Sequence, residues 1–155
     1  MRREMPTPSI VVLLGALLLA ACAPAPTVPP PVVQAAPAGA ALPPGFAELT
    51  VFNISGWTLI PSNQDVTDNG HALVSLPRET YKRLFIGSGG HELSLHSRVL
   101  KIDAKEGERY RVAAGYHPER SLLVPILLPI LGDPVVIQLI SEAEARDLAK
   151  TMKAQ

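Results

Sequence analysis

The chain has a single cysteine, Cys22, which closes the sequence Leu19-Ala20-Ala21-Cys22 at the end of an apolar run. No other feature constrains the fold as much. It divides the chain into a part that is cut away, a part that cannot fold, and a part that must fold without disulfides. Arg2 and Arg3 give the N-terminus positive charge, and Ile10 to Leu19 (IVVLLGALLL) follows as a ten-residue apolar stretch. About 20 apolar residues are needed to span a bilayer, so this stretch is too short to cross one. It has the length of the apolar region of a secretory leader, about 7–15 residues. Ala20 and Ala21 are small enough to admit a peptidase, and the Cys22 thiol can take a diacylglyceryl group with palmitate-type chains. Residues 1–21 therefore read as a lipoprotein signal peptide and Cys22 as the lipidated first residue of the mature protein. Two or more acyl chains give stable membrane attachment where one gives only marginal binding. Ala23 is not acidic, which fits sorting to a bacterial outer membrane with the protein facing the periplasm.

Losing Arg2, Arg3 and Glu4 with the leader takes 14 basic and 14 acidic residues to 12 and 13. Such a balance excludes nucleic-acid binding by phosphate neutralisation. With Cys22 lipidated, no thiol remains for disulfides, thiol catalysis or soft-metal binding.

Ala23 to Gly45 holds eight of the 16 prolines and no charged residue. Proline lacks the amide donor that helix and sheet require, so residues 22–45 read as a disordered Pro/Ala-rich tether. Fully extended, at about 3.1 Å per residue, it would reach roughly 70 Å. Residues 46–155 then form one domain of ordinary size.

That domain reads as mostly β. Ala47–Asn53 carries β-branched and aromatic residues, and Trp57–Ile60 is a short apolar piece stopped by Pro61. Asp65–Thr67 and His71–Leu76 flank Asp68-Asn69-Gly70, a tight-turn signal. Tyr81–Ile86 follows, then the glycine break at 87–90, then the alternating stretch His91–Ser97. Val99–Asp103 and Glu108–Gly115 flank Ala104–Gly107, which reads as a hairpin, and Val135–Ile140 is the last strand. Short strands with turn signals between them predict a single antiparallel β-sandwich. The end differs. Ser141-Glu142-Ala143-Glu144 matches the capping box, and Ala145, Leu148, Ala149 and Met152 recur at helical spacing. This predicts one amphipathic helix over Glu142–Lys153, lying on the sandwich.

Chemistry-bearing residues are sparse. His91 and His96, five apart in one expected strand, would face opposite ways and could not share a metal. Solvated positions account for these two and for His71 and His117. Gly87-Ser88-Gly89-Gly90 lacks the Lys and the following helix that a phosphate loop requires. No catalytic residue, metal ligand or cofactor is expected. Tyr110 and Tyr116 share one face of a strand and, with Trp57, could offer a stacking face to a glycan or small ligand; core and rim packing is the plainer reading.

Leu122 to Leu131 (LLVPILLPIL) does not suit a solvated loop. Pro125 and Pro129 exclude a regular helix or central strand. Leaving its eight aliphatics exposed would forfeit on the order of 10 kcal/mol. Leu122, Leu123, Ile126, Leu127, Leu128, Ile130 and Leu131 therefore either pack on their own sandwich or form an interaction loop for a partner, a second copy or the lipid surface.

Several pieces carry a resemblance: Asn69-Gly70, the step from Leu76 to Tyr81, Gly89-Gly90-His91-Glu92-Leu93, Gly107-Glu108-Arg109-Tyr110, and the Glu-rich end from Leu139 to Ala145. In this order they resemble a family of small bacterial lipoprotein domains of unknown function, over nearly the whole domain. Gly89-Gly90 stands where that family usually has Pro-Gly. The resemblance implies a β-sandwich-like fold and no reaction. The functional expectation is a lipid-anchored envelope protein acting without enzymatic activity as a structural or interaction module. An envelope protein is its expected partner, and its oligomeric state is left open. An accessory lipoprotein of a secretion or pilus assembly, and a small-ligand or glycan binder, are the alternatives.

Overall fold

The computed structural model describes residues 33–37, 39–55, 63–116 and 135–155. Cys22, Trp57, His117 and the run from Leu122 to Leu131 lie outside these residues. As expected, the fold is mostly β: two sheets packed face to face, with one C-terminal helix.

The first sheet has the order β1 (Val33–Ala35), β5 (Thr80–Gly87), β2 (Phe46–Asn53), β8 (Arg109–Tyr116), β9 (Val135–Leu139). The second has the order β4 (His71–Leu76), β3 (Gln64–Asp68), β6 (Gly89–Leu95), β7 (Arg98–Ala104). Alternation decides which side chains meet between them. Ala47, Leu49 and Val51 of β2 share one core with Val66 of β3, Leu93 and Leu95 of β6, and Ile102 of β7, to which Val112, Ala114 and Ile86, among others, contribute.

The sandwich is not antiparallel throughout, contrary to the expectation from sequence: two pairings in the first sheet are parallel, β2 with β8 and β5 with a short final strand, β10 (Lys153–Ala154). Parallel neighbours need a long crossover. For β2 and β8 that crossover is the stretch of chain containing the entire second sheet. The expected hairpin at Ala104–Gly107 is consequently a corner: β7 and β8 lie in different sheets. The Tyr110 hydroxyl fastens it, donating to the Asp103 carbonyl at 2.9 Å and accepting from the Lys105 amide at 3.1 Å. The glycine break is a second corner, with only Ser88 outside the strands.

The Asn69-Gly70 turn forms as read. Both residues have positive φ (50° and 80°), as the type I′ geometry of a two-residue hairpin demands. A second hairpin, not anticipated, turns at His96-Ser97, where His96 has φ 52°.

The helix, α1 (Glu142–Thr151), starts on the predicted capping box. Ser141 accepts from the Glu144 amide, and the Glu144 side chain accepts from the Ser141 amide at 2.8 Å. It stops two residues earlier than expected because Lys153 and Ala154 pair with Thr80 and Tyr81. The helix covers the outer face of the first sheet, where Ala145 is buried and Arg111 reaches Glu142 at 3.7 Å. This cover explains why Thr50 and Phe52, which point away from the inter-sheet core, are also buried.

Residues 33–35, assigned to the tether from sequence, instead add a strand to the edge of β5, with Val33 packed on the core. Prolines flank this segment in sequence, but an edge strand pairs on one side only and tolerates them.

Candidate functional site

Among the described residues, three local arrangements bear on what the protein can do. The first is a buried ionic clamp. Asp68 ends β3 and is fully buried, while His91 on β6 is 7% exposed. Alternation puts both on the inner side of their strands, in line with Val66 and with Leu93 and Leu95. His91 Nδ1 lies 2.5 Å from Asp68 Oδ2, and His91 Nε2 lies 2.7 Å from the Gly87 carbonyl. A carbonyl only accepts, so Nε2 carries a hydrogen, and a second proton lies between Nδ1 and the carboxylate. Hydrogen bonding to Asp68 holds the imidazole above its ordinary pKa against the opposing effect of burial; the Gly87 bond and the Asp68 charge add to the rise.

Next to the clamp, Asn69 docks its turn onto the same corner. Its amide donates to the Glu92 carbonyl at 3.0 Å and its Oδ1 accepts from the Glu92 amide at 3.2 Å. The clamp thus ties the β3–β4 turn to the β5–β6 corner. Neither ring nitrogen is left to meet a substrate.

The expectation that His91 is solvated and shares a strand with His96 is therefore corrected. His91 is buried and paired, and His96 sits in a turn beside the Tyr116 ring, with centroids 6.0 Å apart. Sequence held the signal for His91, since the 91-93-95 alternation sets it on the same face as two leucines. His71 is exposed on β4. Among the described residues no group of three metal-ligating side chains is found.

The second arrangement is a neutral node. The Asn53 side-chain amide donates to the Leu76 carbonyl at 2.9 Å, and its Oδ1 accepts from the Ser55 amide at 3.0 Å. Ser55 Oγ accepts from Gln64 Nε2 at 3.2 Å and from the Tyr116 amide at 3.1 Å. All three side chains are buried. Gly115 makes room for them: a Cβ there would meet Ser55 Oγ at 2.5 Å, and its φ is 141°. Gln64 Oε1 and Asp68 Oδ1 find no hydrogen-bond partner among the described residues.

The third is an apolar groove of about 520 Å³ between α1 and the outer face of β8 and β9. Ile54, Ala113, Val136 and Gln138 line one side, and Leu148 and Met152 the other. Glu144 and Asp147 stand at its rim, the first engaged in the helix cap and the second 2.7 Å from Lys150.

Tyr110 and Tyr116 do share β8, and both rings pack against the core; the Tyr110 hydroxyl is engaged at its corner. The structure does not bring Cys22, Trp57 or the Leu122–Leu131 run into view, since all lie outside the described residues. No family model matches this chain, and no curated protein or solved structure matches it either.

Proposed function

We propose that this chain is a lipid-anchored protein of a bacterial outer membrane. Its sandwich faces the periplasm and acts by contact, as a non-enzymatic structural or interaction module. The observation that carries this reading is Leu19-Ala20-Ala21-Cys22 behind a charged N-terminus and a ten-residue apolar run. The buried His–Asp pair is consistent with it, because both ring nitrogens of His91 are engaged inside the fold and the pair joins two chain segments.

The pairing of Val33 with Ile86 shortens the free tether. From Cys22 to Val33 the chain reaches about 30 Å at full polyproline extension, against the roughly 70 Å that a tether to Gly45 allows. The module therefore works close to the lipid surface, within reach of a partner in the same membrane.

Cys22→Ala tests the anchor. With the native cysteine, a metabolic fatty-acid probe labels the protein and it stays with the membrane fraction. The variant loses both label and retention. Label that persists on the alanine variant overturns the reading.

A further inference from the structure

The groove beside α1 and the aliphatic run Leu122–Leu131 answer each other. Tyr116 and Val135 are directly paired, so residues 117–134 leave β8 and return to β9 at one point. The groove begins at that same end. Val136 follows Val135 in its wall, and Ile54 is fixed there by its amide, which donates to the Ala114 carbonyl at 3.0 Å. An excursion of 18 residues that doubles back reaches about 30 Å, at about 3.3 Å per residue for each nine-residue arm. The groove is bounded by the five residues of β9 and the ten of α1, so its whole length is within reach.

The chemistry agrees with the reach. The walls are mostly aliphatic, with a thioether from Met152 and one side-chain amide from Gln138. The two rim carboxylates are already engaged, so the groove asks for an apolar occupant and not for a cation. A run of eight Leu, Ile and Val residues interrupted by Pro125 and Pro129 offers aliphatic side chains and carries no charge, which suits seating by side-chain contact. A segment tethered at both ends beside its groove also has an effective concentration in the millimolar range, well above that of a second copy.

We propose that this groove is the seat of Leu122–Leu131 of the same chain. The inference is independent of lipidation, so its failure and that of the proposed function are separable. The test places photoreactive p-benzoylphenylalanine at position 152 of the full chain. Irradiation should give a species of monomer mass whose crosslinked peptide maps to 122–131. A crosslink to 122–131 at twice the monomer mass would assign the groove to a second copy and overturn the proposal. So would a crosslink to any other segment, or none. A second measurement uses milder changes. Leu127→Ser and Leu148→Ala should lower the melting temperature less together than the sum of their separate effects, because they remove the same contact. Strictly additive losses overturn the seat.

Discussion

The single strand β3 ends in two different ways of burying polarity. Gln64, its first residue, belongs to the neutral node with Asn53 and Ser55; Asp68, its last, belongs to the ionic clamp with His91. Five residues of strand separate them by roughly 13 Å. The hydrogen bonds among these amides and the hydroxyl form at any ordinary pH; the node leaves Gln64 Oε1 without a partner among the described residues and makes a steric demand, a glycine at 115. The ionic clamp needs no special backbone but does need a proton, because both ring nitrogens face acceptors. One strand is thus secured at one end by shape and at the other by charge, and the two can be broken selectively.

The largest effect is expected from the clamp. Asp68→Ala leaves His91 buried without its counter-charge, and breaking one side of a buried pair costs about 3–5 kcal/mol. Denaturant unfolding of the full chain measures this loss. A variant as stable as the parent would show that the pair is not held as a charged unit. Gly115→Ala comes next. The added Cβ would sit 2.5 Å from Ser55 Oγ and 2.9 Å from the Ser55 amide nitrogen, at a φ that side chains rarely adopt. Overpacking with backbone strain costs about 2–3 kcal/mol. That loss should be the same at pH 6 and pH 8, whereas the Asp68→Ala loss should not.

The two clusters also differed in how legible they were. The clamp could have been read from residue parity: His91 alternates with Leu93 and Leu95, and Asp68 with Val66, so both face inward. The neutral node could not, because it joins residues 53, 55, 64, 76 and 115, and nothing local records which strand lies beside β2. The same holds for the corner at Ala104–Gly107. A glycine turn after a strand fits a hairpin and a sheet-crossing corner equally, and only the parallel pairing of β2 with β8 decides between them. By contrast, Asn69-Gly70 and the Ser141–Glu144 box specify their own backbone geometry within four residues, and both formed as read. The strand at Val33–Ala35 is not legible in the sequence because the composition around it is that of a tether, and its pairing depends on an edge of β5 that sequence does not display.

A third effect separates charge from shape by pH alone. The folded-state pKa of His91 is raised above 6.5, chiefly by its hydrogen bond to Asp68. The folded form therefore binds the proton more tightly than the unfolded chain. Its contribution is complete below the unfolded value near 6.5 and is lost as pH rises through the folded value. The loss should be smaller than that of Asp68→Ala, since the ring still fills its site. Melting temperatures of the parent should fall across this alkaline flank, and those of His91→Gln should stay level. A parent curve as flat as that of the variant would remove the proton from the account.

The smallest effect lies outside both clusters and calibrates them. Ser141→Ala removes the hydroxyl that accepts from the Glu144 amide, and losing such a cap costs about 1 kcal/mol. The cap is distant from His91 in sequence and lies on the other side of the first sheet, so its cost should add to that of Asp68→Ala without coupling. Its pH dependence runs the other way. Hydrogen bonds from the Ser141 hydroxyl and amide hold the Glu144 carboxyl below its ordinary value of 4.5. The cap is thus complete above that value and fails as pH falls through the lower folded value. In the parent the helix cap should weaken on the acid flank and the clamp on the alkaline flank. Ser141→Ala should flatten only the acid side. If it also changed the alkaline side, the helix and the clamp would form one cooperative element, and the division of β3 into two separately secured ends would have to be given up.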